Sequence, residues 1–464
     1  MMFKKPANKS TSLVPLLSHL LRGQQGRRLI SNLSIKAAPT PTRSVAEENT
    51  ALSKLPVKVL LRSALLTTVM SKSWLLRPSL AIMAFLTKSN SALLDADRNP
   101  VLNRVLRWAI YNHFCAGTNS REVSRAVQDV KRLGYHGVIL GYAKEAVLDP
   151  VEALDHTPSG DAKYGPRHYE VIDEWKRGNL ETLEMLGAGD FIALKLTGAG
   201  PIALDAMQAG QPIPDYLDKA LDEICHQTSK KGCRVWLDAE QQALQPTLDE
   251  WTIASMRKHN QGGRALMYNT IQGYLKGSKA NAERHITLAA QEGWTVAIKL
   301  VRGAYIENEI RSLIHDTKED TDRSYDTIAD MFISRKFPEG VQNLRFPDAA
   351  LFLATHNAES AEKGLRTHRE RVLAGLPTTA LECGQILGMA DELSCKLLQD
   401  YEKTAADSRM GGKSPRILKC IPWGSVGECM GYLYRRAVEN RGAVERTQHM
   451  AEAMRREVRR RVLG

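Results

Sequence analysis

Residues 281–303 read NAERHITLAAQEG and then WTVAIKLVRG, and this pair of segments is the unit from which the fold is inferred. The first segment is helical in character, and Gly293 stands where a helix stop is expected. Alternate residues of a strand point to opposite faces, and in the second segment both sets are largely apolar. This is expected of a strand that is buried on both faces. The unit therefore predicts a helix followed by a buried strand.

The same theme of an apolar run, a polar turn and a helical stretch recurs from residue 135 onward. Alternating strands and helices imply a parallel sheet. Eight units suggest an α/β fold that closes into a (β/α)8 barrel in distorted form, and an open doubly wound sheet is the alternative. The runs are YHGVILGY (135–142), FIALKLTG (191–198), CRVWLDAE (233–240), RALMYNT (264–270), WTVAIKLVRG (294–303), ALFLATHN (350–357), TALECGQ (379–385) and RILKCIPWG (416–424).

The N-terminus predicts a mitochondrial transit peptide over residues 1–46. This stretch contains eight Lys and Arg residues, no acid and a Leu stripe at helical spacing. Basic, acid-poor and amphipathic composition is typical of such import signals, and a disordered basic tail is the alternative.

Residues 47–134 are predicted to form an N-terminal helical arm, ahead of a barrel domain over 135–464. Within the arm, basic residues interrupt the apolar stretch at 55–94, so no run reaches the length that a membrane span requires. Two or three helices packed on the barrel are predicted, and a membrane-surface helix is the alternative because basic and apolar faces coexist.

The charge distribution argues against a nucleic-acid partner. The first 94 residues carry 14 basic and two acidic side chains, which accounts for the whole net charge of +12. The remaining residues balance, so no basic stripe on the folded domain is indicated. The seven scattered cysteines show no CxxC or CxxH spacing, and neither a metal site nor a disulfide framework is predicted.

The chain between Gly303 and Asp348 is longer than a simple helical connection needs. Its charged stretch HDTKEDTDRSYD predicts a surface excursion, with a functional lid as one interpretation.

Polar side chains follow almost every apolar run, at the strand ends where the reactive groups of a parallel barrel gather. Five motifs, WLDAEQQ, KLVRGAY, LATHN, GQILGM and YLYRRAVEN, occur in that order. Over roughly residues 100–450 the chain resembles the proline dehydrogenase family, and its mitochondrial branch in particular. The resemblance implies FAD-dependent oxidation of L-proline to Δ1-pyrroline-5-carboxylate, the first step of proline catabolism, with a membrane quinone as electron acceptor and peripheral inner-membrane association as a further expectation.

The motif YLYRRAVEN carries the implied substrate contacts. Adjacent arginines on a helix lie about 100° apart, so both can flank one carboxylate. The resemblance implies that Arg435 and Arg436 clamp the substrate carboxylate, that Tyr432 lines the pocket and that Glu439 reaches the cofactor. Taken alone, the motif is equally typical of a solvated arginine pair with an i,i+4 glutamate.

Lys195 and Asp238 follow neighbouring strands and are predicted to pair. A lysine at a barrel-strand end is stabilised by nearby acids, and Glu145 is a further candidate partner. Asp238 would help to orient the site near the ring amine. A purely structural ion pair across adjacent strands is the alternative.

The other correspondences implied by the resemblance concern the cofactor and the pocket wall. Tyr305 and Trp423 would wall the proline pocket, although Tyr is usual in the family where Trp423 stands. The implied FAD contacts are Gln272, Lys299, Arg302, Gly303, Ala304, Thr355, His356, Asn357 and Gln385.

Three other interpretations of the chain are the alternatives to this one. Gly198 and Gly200 imitate a dinucleotide fingerprint, but Asp218 lies inside a helical stretch where that fingerprint needs a strand end. An enzyme of the same fold that acts on hydroxyproline is the nearest functional alternative, and a catalytically silent barrel used as a binding module is the alternative of a different class.

Overall fold

The computed structural model describes residues 50–89, 91–143, 164–306, 309–338, 344–441 and 444–463. The predicted transit peptide at 1–46 and the candidate partner Glu145 lie outside the described residues. So does the side chain of Glu439, although its backbone belongs to a helix.

Eight parallel strands close into a barrel in which each strand pairs with the next and β8 pairs with β1. All eight apolar runs of the sequence supply a strand, so the predicted (β/α)8 fold is confirmed. The strands are β1 (Gly137–Tyr142), β2 (Phe191–Leu194), β3 (Arg234–Leu237), β4 (Met267–Gln272), β5 (Val296–Val301), β6 (Ala349–Ala354), β7 (Ala380–Ile386) and β8 (Arg416–Trp423).

Helices precede, alternate with and follow these strands. Gly293 ends α10 with φ of 80°, a left-handed conformation that glycine adopts without strain, as its position in the sequence predicts. The α-helices are α1 (Val57–Met70), α2 (Ser73–Lys88), α3 (Pro100–Leu106), α4 (Asn112–Phe114), α5 (Ser120–Arg132), α6 (Pro166–Glu184), α7 (Pro201–Gln208), α8 (Asp215–Lys230), α9 (Gln245–His259), α10 (Ser278–Glu292), α11 (Lys318–Ile333), α12 (Ala358–Leu373), α13 (Asp391–Ala405), α14 (Val426–Arg441) and α15 (Val444–Leu463).

Short helical turns complete the chain. They are the 3-10 turns Ala51–Lys54, Leu196–Ala199, Arg311–Leu313 and Ser408–Met410, and the π turn Arg107–Tyr111.

The centre of the barrel is filled by aromatic rings. Phe191, Trp236 and Phe352 lie with ring centroids 5.1–5.5 Å apart, distances typical of stabilising aromatic pairs. Gly384 faces this cluster, because a Cβ atom there would lie 2.7 Å from the Phe352 ring. The packed rings fill the barrel interior, so a cavity inside the barrel lies toward the carboxyl ends of the strands.

The N-terminal arm covers that carboxyl end. Tyr111 donates a hydrogen bond to the Gly424 carbonyl at 2.7 Å, just beyond β8, and Ser63 on α1 bonds Asp391 at 3.1 Å. Helix α2 packs its Leu76 and Leu80 against α14. Among the described helices, none is singly long and apolar enough to cross a membrane, and α1 with most of α2 reaches that length only as a pair bent by 97°.

The charged stretch HDTKEDTDRSYD does not form the expected surface excursion. It leads into and begins α11, whose Tyr325 is fully buried in the core. Thr317 caps this helix by accepting a hydrogen bond from the Asp320 amide, and Glu319 and Asp320 lie in its first turn, where acids are favourable. The charges are therefore those of a helix N-terminus, which accounts for the wrong prediction.

Candidate active site

A cavity of about 390 Å³ opens at the carboxyl ends of the strands, within the roughly 300–1,000 Å³ typical of small-molecule sites. All eight strands or their following loops line it, together with α14. Most of the residues singled out from the sequence come together here: Lys195, Asp238, Lys299, Arg302, Gly303, Ala304, Tyr305, Thr355, His356, Asn357, Gln385, Tyr432, Arg435 and Arg436.

Asp238 lies between two ammonium groups at the base of this cavity. Lys195 Nζ donates to Asp238 Oδ2 at 2.8 Å, and Lys299 donates to the other carboxylate oxygen. Burial alone would raise the pKa of Asp238, but the two lysines outweigh burial and hold that pKa well below its usual range. The predicted Lys195–Asp238 pair thus exists as part of a three-membered cluster, and Lys299 also lies 4.3 Å from the centre of the Trp236 ring.

Glu240 is a buried carboxyl group next to this cluster that the sequence reading passed over. Its Oε1 accepts a hydrogen bond from Thr197 Oγ1 at 3.1 Å, and the residue is 3% exposed. Burial raises the pKa of Glu240 to about 7, and Lys195 only partly opposes that effect. Its position two residues after Asp238 in WLDAEQQ was the available signal.

Helix α14 brings its three predicted residues to the cavity on one face. Tyr432, Arg435 and Arg436 follow the i, i+3, i+4 spacing of neighbours on a helix surface. Arg436 Nη2 donates to the Ala304 carbonyl at 3.3 Å, and its guanidinium lies 5.6 Å from the Tyr432 ring centre. This arrangement aims two guanidinium groups inward over the strand ends.

Gln272 supports the cavity from beneath and does not line it. Its Oε1 accepts a hydrogen bond from the Ala304 amide at 3.0 Å, and its Nε2 donates to the Glu240 carbonyl at 3.4 Å. Because Ala304 in turn accepts from Arg436, Gln272 fixes the loop on which the arginine rests.

Residues 309–316, called the strap here, cross from β5 toward α11. Glu309 accepts hydrogen bonds from the Gln242 amide at 3.1 Å and from Tyr274 Oη at 3.3 Å. Tyr274 Oη also accepts a hydrogen bond from the Tyr305 amide at 3.4 Å. The Tyr274 ring lies so close to Gly303 that a Cβ atom on residue 303 would be 2.5 Å from it. Glu309 therefore joins the loops that follow β3, β4 and β5, and sequence reasoning missed it.

The end of the cavity near α12 is built for an anion. Asn357 caps α12 by accepting from the Ser360 amide at 3.0 Å, and Arg302 donates to Ser360 Oγ at 2.8 Å. Arg302 also pairs with Asp322, yet its buried Nε has no partner among the described residues. A helix N-terminus beside a guanidinium suits a phosphate group, so these residues fit the dinucleotide that the resemblance implies.

Trp423 does not wall the cavity, which corrects the expectation for this residue. Its Nε1 donates to Thr182 Oγ1 on α6 at 3.0 Å, and its ring stacks on Tyr142 with a centroid distance of 5.0 Å. The side chain thus lies between the sheet and α6. The β8 residues that line the cavity are Cys420 and Pro422, and Tyr142 lines it from β1.

Gln385 lines the cavity, but its amide is used within the protein. The amide accepts a hydrogen bond from Ser394 Oγ at 2.9 Å and donates to the Thr355 carbonyl at 3.4 Å. His356 Nε2 accepts from the Ile386 amide at 3.2 Å, which leaves that nitrogen unprotonated. These bonds hold the loops after β6 and β7 in register.

Residues 123–449 match the protein-family model described as proline dehydrogenase. The chain belongs to the proline dehydrogenase family. It is therefore an oxidoreductase that acts on proline, as its motifs predict.

Individual proteins agree with this membership. A probable mitochondrial proline dehydrogenase of Schizosaccharomyces pombe is 27% identical over 449 residues, which are 87% of this chain and 88% of that protein. A hydroxyproline dehydrogenase of Bos taurus is 26% identical over 408 residues, covering 78% and 82% of the two chains.

Among solved structures, proline utilization A of Bdellovibrio bacteriovorus, inactivated by N-propargylglycine, superposes with a TM-score of 0.56 at 16% identity. The match covers 83% of this chain and 38% of that larger protein. At this identity the likeness concerns the fold alone.

Proposed function

We propose that the cavity binds FAD and L-proline, and that the protein oxidises L-proline to Δ1-pyrroline-5-carboxylate. The observation that carries this proposal is the charge of the cavity. In the described part of its lining, the cationic side chains are Lys195, Lys299, Arg302, Arg435 and Arg436, and the carboxylate is Asp238; Asp322, which lies outside that lining, pairs with Arg302. Such an excess of positive charge favours anionic ligands, and both the amino acid and the dinucleotide carry anionic groups.

Arg435 and Arg436 are the proposed clamp for the substrate carboxylate. Both line the cavity from one face of α14, and planar guanidinium groups can bind a carboxylate through paired, charge-assisted hydrogen bonds. The Ala304 carbonyl accepts a hydrogen bond from Arg436 and so limits rotation of the arginine side chain. The Ala304 amide is itself fixed by a hydrogen bond to Gln272. Tyr432 lies beside the clamp, and burial raises the pKa of its phenol, which keeps that hydroxyl protonated.

Lys195 and Asp238 are proposed to set the charge around the ring amine. Burial opposes the ammonium form of Lys195, but Asp238 outweighs burial and raises the pKa of the lysine. Lys195 therefore remains a cation at neutral pH and cannot accept the proton that the substrate amine loses. The neighbouring Glu240, whose pKa burial raises to about 7, is not among the described residues that line the cavity.

The residues that would hold FAD run along the ends of β4, β5 and β6. Arg302, Ser360 and the N-terminus of α12 would hold its phosphates, with Thr355, His356 and Asn357 alongside. Lys299 would lie near the flavin ring. When bound, the flavin supplies the hydride acceptor for the carbon next to the ring nitrogen. The side chains above fix the geometry that this chemistry needs.

We further propose that the protein acts in mitochondria and passes electrons to a membrane quinone. The S. pombe relative carries the word mitochondrial in its name, and residues 1–46 have the composition of an import signal. Peripheral attachment to the inner membrane would bring the flavin within reach of an apolar acceptor.

Hydroxyproline is the second candidate substrate. The Bos taurus hydroxyproline dehydrogenase resembles this chain about as closely as the S. pombe relative does, so overall identity does not separate the two substrates.

Purified full-length protein tests the proposal. We expect a flavin absorbance spectrum that L-proline bleaches in the absence of oxygen, with D-proline inactive. Faster bleaching by trans-4-hydroxy-L-proline than by L-proline would make hydroxyproline the substrate. A protein without flavin, or with a flavin that neither compound reduces, would contradict the proposal.

A further inference from the structure

The exposed apolar side chains are concentrated in the N-terminal arm. Of the 21 large apolar residues that are exposed in the described part of the chain, 11 lie between residues 57 and 108. Exposed large apolar residues concentrated in one segment of a chain are typical of surfaces that contact a partner or a membrane.

These residues form stripes at helical spacing. Val57, Leu61 and Leu65 follow one face of α1, and Trp74, Ile82 and Phe85 follow one face of α2. A third stripe, at Val101, Val105 and Trp108, runs along α3 and the adjoining π turn. Spacings of three, four, seven and eight residues return to the same side of a helix.

The opposite faces of the same helices are already packed. Leu60 is buried against α13 and α15, whereas Leu76 and Leu80 are buried against α14. The core therefore does not need the exposed stripes, and their apolar character requires a separate explanation.

The charge of the arm indicates which partner fits. Residues 50–108, which carry all three stripes, contain nine basic side chains and two acidic ones, and Lys58, Lys72 and Arg77 are exposed beside the stripes. A second copy of the same surface would bring like charges together. An anionic bilayer surface, in contrast, accepts the apolar stripes and attracts the flanking cations.

The arm also lies at the end of the barrel where the cavity opens. Helix α2 packs on α14 through Leu76, Leu80 and Val438, and α14 carries Arg435 and Arg436 into the cavity. A surface that docks through α1–α3 would thus hold the carboxyl end of the barrel close to the bilayer.

We propose that the exposed stripes of α1, α2 and α3 form a lipid-docking face that binds the surface of an anionic bilayer. This inference rests on the proposed function, because it identifies the surface that brings the reduced flavin to a membrane acceptor. The face binds by insertion of Trp74, Ile82 and Phe85 into the interfacial region, while the flanking lysines and arginines contact lipid phosphates.

Cosedimentation of the flavin-loaded full chain with vesicles tests the docking face. One set of vesicles is pure phosphatidylcholine, and the other contains phosphatidylglycerol. We expect binding to the anionic vesicles that weakens with added salt. The double variant Trp74→Asp, Phe85→Asp should bind roughly tenfold or more weakly, because both side chains are largely exposed in the free protein and would be buried in lipid.

The matched control is Leu373→Asp, Leu376→Asp. These exposed leucines precede β7, at the opposite end of the barrel, and this control should bind vesicles as the wild type does. Proline oxidation with a water-soluble dye should be equal in all three proteins, so a failure of the proposed function would appear in the dye assay alone.

Three outcomes would overturn the docking face: wild-type protein that ignores anionic vesicles, equal losses in both double variants, or a lipid-free dimer that the arm variant dissociates.

Discussion

The two ends of the barrel use positive charge in opposite ways. At the amino end, Arg234 and Arg416 share the carboxylate of Glu382, and both also donate to the Gly189 carbonyl. Lys131 there pairs with Asp190 at 2.6 Å. At the carboxyl end, five cationic side chains line a cavity in whose described lining Asp238 is the one carboxylate.

The two arrangements separate charges that stabilise the fold from charges that are placed to bind a ligand. Buried charges that find full partners inside the protein close the barrel floor. Cationic side chains that line an open cavity raise its local affinity for anions, so a bound anion can be recognised there.

The largest expected effect is on stability, at the amino end. Glu382→Gln removes a buried carboxylate that two partly buried guanidinium groups share, and the free energy of unfolding should fall by about 3–5 kcal/mol. Urea denaturation measures this loss. The control is Glu402→Gln, because Glu402 makes an exposed pair with Lys54 and should cost at most about 1 kcal/mol. Proline turnover by the folded fraction should stay normal. A loss of turnover without a loss of stability would contradict a purely structural role for the amino-end charges.

The next effect is on catalysis, at the carboxyl end. Arg435→Lys and Arg436→Lys should each cost about 2–4 kcal/mol, or roughly 30- to 1000-fold in kcat/KM for proline, because an ammonium cannot reproduce the planar fork. Flavin content and stability should hold. The control pair is Arg455→Lys and Arg456→Lys, two adjacent and exposed arginines of α15. Near-normal turnover in both clamp variants would leave the carboxylate clamp without support.

The third effect depends on pH and concerns Glu240. Burial raises its pKa to about 7, so the protonated form contributes stability that is complete below the pKa of the unfolded chain and is lost as the pH rises through 7. At ~1.4 kcal/mol per pKa unit, the loss reaches about 3 kcal/mol between about pH 5 and about pH 8. Thermal unfolding of Glu240→Gln should lack that component of the pH dependence. Parallel curves for the variant and the wild type would place Glu240 outside the titrating groups.

The smallest effect concerns the strap. Glu309→Gln weakens the bonds to the Gln242 amide and Tyr274, and we expect KM for proline to rise roughly tenfold with a smaller change in kcat. Tyr274→Phe should likewise raise KM more than it lowers kcat, because it removes the hydroxyl that donates a hydrogen bond to Glu309. Glu319→Gln, at an exposed position of α11, is the control. Equal falls in kcat for all three variants would indicate general destabilisation.

The sequence predicts the fold well because strands that are buried on both faces appear in it as continuous apolar runs. All eight strands coincide with continuous apolar runs, and Gly293 marks a helix end through a requirement that other residues meet poorly. The cavity could be located in advance for a related reason. In a parallel barrel every strand ends at the same rim, so the polar residues that follow the runs must meet there.

The orientation of individual side chains was harder to predict. Trp423 and Cys420 both belong to an apolar strand, and period-two alternation cannot tell the inner face from the outer face when both are buried. Gln272 binds a loop amide that only tertiary structure brings near it. Glu309 was missed because a carboxylate gives no sign in the sequence of whether it is buried, and for Glu240 the one signal was its position two residues after Asp238.

The central claim, that the positive charge at the carboxyl end recognises the substrate carboxylate, is tested most directly by comparing L-proline with L-prolinamide. The amide keeps the ring and the amine but offers no negative charge to Arg435 and Arg436. Anaerobic reduction of the wild-type flavin should be roughly 100-fold more efficient with L-proline, and the preference should shrink in Arg436→Lys. Equal efficiency for the two compounds would contradict the claim.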